Sequence, residues 1–293
     1  MKKIIALTLS VLMLFAFTAC SSAAGENPKS DNAYSLVEDG KLIVALSPDF
    51  SPMEFVDTSK SGQEQYVGFD VTLANFLADE LGLELVIKPM SFDACQTAVQ
   101  LGAVDISISG YSWTEDRAEN FSLSDYYYAG DNETQQTIVT LSEKAGTFKA
   151  PTDFTGMKIA AQAASLQELL CNEQIAEYAK IELFKAIDDA VLALKTGKVD
   201  GVAVAYGNGE AIIANNPDIS MSGFEFAVED AATNNVVMLN KNATALTVAV
   251  NELLKKAYDA GYYGQWYEDA KMLAGIETAA DVSYDDEGNA PQG

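Results

Sequence analysis

Strand and helix signals alternate twice along this chain, in the same order both times. The apolar run Lys41 to Leu46 (KLIVAL) reads as a buried strand. Phe69, Leu73, Phe76, Leu77 and Leu81 then recur at helical spacing, and Gly82 follows as a C-cap. The strand LELVIK, a short helix from Asp93 to Leu101 and the strand VDISIS complete a β-α-β-α-β series. A series of this kind implies a parallel sheet with right-handed crossovers. It recurs as MKIAAQ, a helix from Leu166 to Glu173, IELF, a helix from Asp188 to Thr196, and VDGVAVA. The two halves share a helix-to-strand junction, Gly102-Ala103-Val104-Asp105 and Gly197-Lys198-Val199-Asp200. Two similar α/β lobes are therefore expected, and 293 residues at 48% hydrophobic composition can bury that much core.

After the second series comes a long amphipathic helix with Leu246, Val250, Leu253, Leu254 and Ala257 on one face, ending at Gly261. It is expected to return to the first lobe. That arrangement needs two crossings between lobes, near Gln135 to Ser142 and near Thr233 to Leu239. The expected division is lobe 1 over 40–137, lobe 2 over 138–233, and a return to lobe 1 over 234–276. Residues 277–293 are acidic and aperiodic and read as a disordered tail.

The N-terminus carries its own signal. Lys2 and Lys3 precede the apolar stretch Ile4 to Phe17, and Ala19 stands before Cys20, which is the pattern of a secretory signal peptide over 1–19. Residues 20–39 are polar, contain Gly25 and Pro28, and read as a tether. With Cys20 set apart, Cys95 and Cys171 are too few for a disulfide framework; both fall in apolar helical patterns and read as small buried hydrophobes, with one bridge between them as the alternative.

Charge and composition exclude several function classes. Eighteen Lys and Arg against 43 Asp and Glu, a net charge of −25, argue against nucleic acid as a partner. The chain has no histidine, which removes Ser-His-Asp and Cys-His catalysis and His-bearing zinc sites. No Gly-rich phosphate loop is present. No cofactor, metal or catalytic residue is therefore assigned.

In so acidic a chain, an arginine just past a strand end stands out. In open α/β sheets the ligand crevice lies outside the carboxyl ends of the strands. The run VDISISGYSWTEDR puts Ser109, Gly110, Tyr111 and Ser112 at such an end. Thr114-Glu115-Asp116 then reads as a helix start, and Arg117 can offer two parallel hydrogen bonds to a carboxylate. The alternative for Arg117 is an internal salt bridge to Glu115, Glu119 or Asp125. Phe50 and Phe92 follow the first and second strands, and with Tyr111 and Trp113 they suggest aromatic walls.

Three segments in this order carry a resemblance: GKLIVALSPDFSPMEF, GFDVTLANFLADELG, and SFDACQTAVQLGAVDISISGYSWTEDRAENFSLSDYYY. The chain resembles the type 3 extracellular solute-binding proteins, the amino-acid-binding components of ABC importers, up to about Gly275. The resemblance implies a two-lobed periplasmic-binding-protein fold with two hinge crossings. It implies that Arg117 holds the ligand α-carboxylate with help from Ser112, that Ser109 and Gly110 meet the ligand through backbone groups, and that Phe50 and Phe92 wall the pocket. Gln162-Ala163-Ala164-Ser165 falls where the family has Gln-Gly-Ser/Thr-Thr/Ser, making Ser165 the carboxylate contact from lobe 2, with Ala163 in place of the usual glycine. The family usually has Asp or Glu at the end of strand VDGVAVA for the ligand α-amine; this chain has Ala205, then Tyr206. Either another carboxylate, Glu210 or Asp49, takes over, or the ligand lacks a standard α-amine. FTAC resembles a lipobox, with Phe17 where leucine is usual, which implies lipidation at Cys20.

The resulting expectation is a monomeric lipoprotein on the outer face of a bacterial cell membrane. It would capture an amino acid or related small carboxylate by hinge closure and deliver it to a permease and its ATPase. A cyclohexadienyl or arogenate dehydratase-like enzyme on the same fold is the alternative. A cis-acting sensor would need a spanning or effector segment after Gly275, where the chain has a polar tail.

Overall fold

The computed structural model describes residues 34–128 and 135–276. The expected signal peptide, Cys20 and the 277–293 tail lie outside the described residues. Strand β1 (Lys41–Leu46) leads into a small antiparallel sheet of β2 (Asp49–Phe50), β3 (Glu54–Val56) and β4 (Tyr66–Val67). Then follow α1 (Phe69–Leu81), β5 (Glu84–Pro89), α2 (Phe92–Gln100), β6 (Ile106–Ser107), α3 (Glu115–Asn120) and β7 (Ser122–Tyr127). The second series is β8 (Gln136–Leu141), β9 (Lys158–Gln162), α4 (Leu166–Gln174), β10 (Lys180–Phe184), α5 (Ile187–Lys195), β11 (Gly201–Ala205), α6 (Tyr206–Asn215) and β12 (Ile219–Glu225). The chain closes with β13 (Asn235–Leu239), α7 (Thr244–Asp259) and α8 (Tyr262–Leu273).

Two five-stranded sheets result, ordered β5-β1-β6-β13-β7 and β10-β9-β11-β8-β12. Position by position they match: β1, β5 and β6 pair in parallel, as do β9, β10 and β11. The fourth strand of each sheet, β13 and β8, pairs antiparallel with both of its neighbours, a departure from the parallel sheets expected. The exchange is reciprocal: β13 from late in the chain completes the first sheet, and β8 opens the second.

The shared junctions do the same work in both lobes. Gly102 and Gly197 leave their helices with φ of 67° and 69°. Asp105 Oδ2 then accepts from the Ile43 N–H at 2.7 Å, and Asp200 Oδ2 from the Lys158 N–H at 3.0 Å. Each aspartate thereby pins one parallel strand to its neighbour.

Side chains alternate across each sheet and bury both faces. Leu42, Val44 and Ile106 pack with Leu73 and Leu77 of α1 and with Leu246, Val250, Leu254 and Ala257 of α7. On the other face Ile43 and Ala45 meet Cys95 and Val99 of α2. Each fully buried Leu or Val of α7 contributes roughly 1.5–3 kcal/mol. In the second sheet Ile159, Ala161 and Ala203 pack on α4, while Ala160, Val202 and Val204 pack on α5. Cys95 and Cys171 are buried, free, and in different sheets' cores, so no bridge joins them. The last residues of the expected tether are docked: Tyr34 and Leu36 lie against the first core, and the Val37 N–H donates to Asp105 Oδ1 at 2.7 Å. No helix among the described residues is long and apolar enough to cross a membrane.

Candidate functional site

A narrow cleft of about 20 Å³ lies between the ends of the two sheets. The first lobe contributes Phe50, Phe92, Ser109, Gly110, Ser112, Arg117 and Asn235; the second contributes Gln136, Gln162, Ser165, Leu166, Gln167 and Ala205. Seven residues singled out from sequence thus converge: Phe50, Phe92, Ser109, Gly110, Ser112, Arg117 and Ser165.

Arg117 is positioned by α3, whose N-cap Thr114 accepts the Arg117 N–H through its side chain at 3.3 Å. Arg117 as a whole is only 4% exposed. Its guanidinium lies 5.6 Å from the Phe92 ring centre and 5.3 Å from that of Tyr111. Nη1 donates to the Ser112 carbonyl at 2.6 Å, and Nη2 donates to the Ala164 carbonyl of the second lobe at 3.0 Å. Among the described residues it forms no ion pair, so the internal salt bridge to Glu115, Glu119 or Asp125 is not made. Burial lowers its pKa to about 10, opposed by Tyr111 and Asp116, and it stays charged at neutral pH. A buried cation held only by carbonyls and ring faces favours an incoming anion.

Ser165 faces it from the other lobe as the N-cap of α4. Its Oγ donates to the Gln162 carbonyl at 2.7 Å and accepts from the Glu168 N–H at 3.1 Å. The hydroxyl is therefore engaged internally. What α4 presents to the cleft is its N-terminus, with Leu166 and Gln167 in the lining and the positive end of the helix dipole behind them. Ala164, just before the cap, holds φ of 63°, the left-handed conformation that turns the chain into the helix.

The floor of the first lobe rests on two buried carboxyls. Ser109 Oγ donates to Glu54 and accepts from the Ser47 N–H at 3.0 Å, and the Gly110 N–H donates to Asp70 Oδ2 at 2.7 Å. Gly110 is thus left with its carbonyl for any ligand. The Tyr127 hydroxyl also donates to Asp70. Burial pushes Asp70 up to about 7 despite these donors, and burial with the neighbouring Asp70 charge raises Glu54 well above the carboxylate range. Glu54 Oε2 has no donor of its own, consistent with a proton retained by the pair. Gly110 has φ of 56°, and a Cβ there would stand 2.6 Å from the Phe50 ring, so glycine lets that wall close in.

Some expectations need correction. Tyr111 is fully buried behind the wall, with its hydroxyl 2.9 Å from Ser107 Oγ and its ring 4.8 Å from Phe92. Alternation explains this: Ser112 bridges to Asn235 and faces the cleft, so its neighbour faces the core. Trp113 lines a separate outer groove with Phe121 and Tyr126. Tyr206 opens α6 outside the lining. Neither carboxylate considered for the α-amine enters the cleft: Asp49 accepts from Ser47, Gln162 and Ile187, and Glu210 lies on α6. Among the described residues the lining contains no acidic side chain.

Sequence reasoning missed Gln136, Gln167 and Asn235. Gln136 and Asn235 are the first residues of the strands that enter each sheet after a crossing, where a polar residue opens an otherwise apolar run. That placement is a usable signal, because a strand arriving from the other lobe must pass the cleft. Gln167 Nε2 donates to Gln136 Oε1 at 2.6 Å and fixes both amides. No group of His, Cys, Asp and Glu suited to a metal occurs among the described residues.

The chain is 29% identical over 262 residues to the arginine-binding extracellular protein ArtP of Bacillus subtilis, covering 89% of this chain and 94% of that one. It is 26% identical to a probable histidine-binding protein of Campylobacter jejuni, covering 84% and 96%. Among solved structures, the amino acid ABC transporter substrate-binding protein AbpA of Streptococcus pneumoniae, bound to L-arginine, superposes with a TM-score of 0.73 at 32% identity, covering 82% of this chain and 97% of that one. An ancestral arginine-binding protein bound to glutamine gives 0.70 at 29% identity, covering 79% and 98%. The model of the bacterial extracellular solute-binding proteins, family 3, matches residues 42–270. The chain belongs to that family.

Proposed function

We propose that this protein captures an amino acid in the cleft and delivers it to an ABC permease and its ATPase. The observation that carries the reading is Arg117: a buried guanidinium, unpaired with any acid among the described residues, aimed at a cleft whose opposite wall is a helix N-terminus. A carboxylate bound there would meet Arg117, Ser112 and the first N–H groups of α4. Ser109 and Gly110 would offer carbonyls to an amine, and Phe50 and Phe92 would enclose the side chain. Ser165 acts by shaping the α4 N-terminus, and Tyr111 and Tyr206 act from outside the lining. Ligand selects the closed state because one lobe alone supplies only half of these contacts.

Arginine is the first ligand to test, since ArtP and AbpA are described as arginine-binding or arginine-bound and the aromatic lining residues Phe50 and Phe92 suit a guanidinium. The two crossings, after Tyr127 and after Glu225, would serve as hinges, dividing lobe 1 from lobe 2 near 137 and 233. The protein acts outside the cytoplasm, as a monomer held to the membrane by lipid on Cys20 after removal of residues 1–19. The dehydratase alternative is disfavoured, because the relatives named above are binding proteins.

A thermal-shift screen against L-arginine, L-histidine, L-glutamine, their N-methylated forms and simple carboxylates tests the reading, since ligand stabilises the native state by mass action. Stabilisation by at least one free carboxylate is expected. No response to any of them at millimolar concentration contradicts it.

A further inference from the structure

We infer that Asp49 is a latch between the lobes, a positioning residue that holds Gln162 on the cleft wall and completes the N-terminus of α5 when the lobes are together. The inference rests on the reading of the cleft as a site that closes on its ligand. Helix α5 begins without a cap of its own: its N-cap is Ala186, which has no side-chain acceptor. The first N–H, that of Ile187, donates instead to Asp49 Oδ2 at 2.6 Å, a carboxylate from the other lobe. The same oxygen accepts from Gln162 Nε2 at 3.1 Å, and Oδ1 accepts from Ser47 Oγ at 2.8 Å.

One carboxylate therefore gathers three donors, two of them from across the cleft. A negative charge at a helix N-terminus is favourable, and here the helix and the charge sit in different lobes. Asp188 and Asp189 in the same first turn oppose it, so the contact depends on the direct hydrogen bonds. Separating the lobes leaves Asp49 with Ser47 and leaves the Gln162 amide with only the Lys185 carbonyl, at 3.4 Å. Of the other cross-lobe bonds, Gln96 to the Ala164 carbonyl at 3.1 Å and Asn208 to the Ser51 carbonyl at 2.9 Å join neutral groups, and Arg117 Nη2 donates to the Ala164 carbonyl at 3.0 Å. Position couples the latch to the ligand. Asp49 and Phe50 make up the two-residue strand β2, so the cleft wall and the latch move as one piece. The Phe50 ring packs against core clusters of both lobes.

The test is a distance measurement on the full chain in a Cys20→Ala background. Spin labels go on cysteines introduced at the exposed positions Leu101 and Leu192, one in each lobe, while Cys95 and Cys171 stay buried. In ligand-free protein, Asp49→Ala should lower the ratio of short to long distances roughly tenfold, and Asp49→Asn by less, because it keeps an acceptor. With L-arginine as probe, half-conversion to the short distance should need roughly tenfold more ligand in Asp49→Ala. An unchanged distance distribution in Asp49→Ala overturns the latch, including the case where only the melting temperature falls, which would mark a role confined to lobe 1. A ligand-free wild type showing only the long distance overturns it as well. If L-arginine fails to shift the wild type, the proposed ligand is wrong, and the ligand-free comparison still decides the latch.

Discussion

Strands β6 and β11 hold the same place, third of five, in two sheets of matching order, and both are entered through the same Gly-x-Val-Asp junction. Their carboxyl ends nevertheless do opposite things. Beyond β6 the chain turns through Ser109, Gly110 and Ser112 to Arg117 and rests on the Glu54–Asp70 pair. Beyond β11 it runs from Ala205 straight into α6, with no charge offered to the cleft. A repeated scaffold therefore does not repeat its chemistry: the first lobe offers the cleft a guanidinium, and the second offers a helix end and amides. The structure assigns the only charged side chain of the cleft lining, among the described residues, to the first lobe.

The largest expected effect breaks the gripping side. Arg117→Ala should weaken ligand binding by about 2–5 kcal/mol, the usual cost of removing one partner of a buried charged pair, while the protein stays folded. Calorimetry with L-arginine reads it, and unchanged affinity would mean that the two strand ends do not differ as described.

A smaller effect comes from adding a grip to the other end. Ala205→Asp should raise the preference for a free amino acid over its N-acetyl form roughly tenfold, since a hydrogen bond to a charged group is worth about 1.5–3 kcal/mol before desolvation. An unchanged preference would show that the Ala205 end does not face the ligand nitrogen.

The smallest effect concerns what underlies β6 alone. Asp70 is held near 7 chiefly by burial, against the Gly110 N–H and the Tyr127 hydroxyl. An unfolded aspartate titrates near 4 (roughly), so between these values the folded chain binds more protons than the unfolded one. This contribution to stability is complete below the unfolded pKa and is lost as pH rises through about 7. The melting temperature should fall by a few degrees between about pH 5 and about pH 8, and Asp70→Asn should flatten that fall. A wild-type midpoint that rises over the same interval would contradict the shared proton.

Much of this contrast is legible in the sequence. The repeated β-α-β-α-β order, the paired junctions and Arg117 after a strand end follow from local periodicity and residue chemistry, and the departure at Ala205 follows from the resemblance to the family. The missed elements have tertiary causes. Helix α6 contains Gly207 and Gly209, poor helix formers that are buried in this fold. Helix α8 starts at Tyr262, and Gly261 serves both as the stop of α7 and as the N-cap of α8, so one glycine read as an end is also a beginning. Glu54 and Asp70 lie in separate elements, and only the pairing of β3 with its neighbours brings them under Ser109 and Gly110. The inward ring of Tyr111 depends on the bridge between Ser112 and Asn235, which no local pattern announces.

The central claim is that the cleft recognises a carboxylate through Arg117. Calorimetric titration of the purified protein with L-arginine and with agmatine, the same molecule without its carboxyl group, tests it most directly. The account predicts saturable binding of L-arginine and an affinity for agmatine weaker by roughly 100-fold or more, the loss of a bidentate charged pair. Agmatine binding as tightly as L-arginine would contradict it.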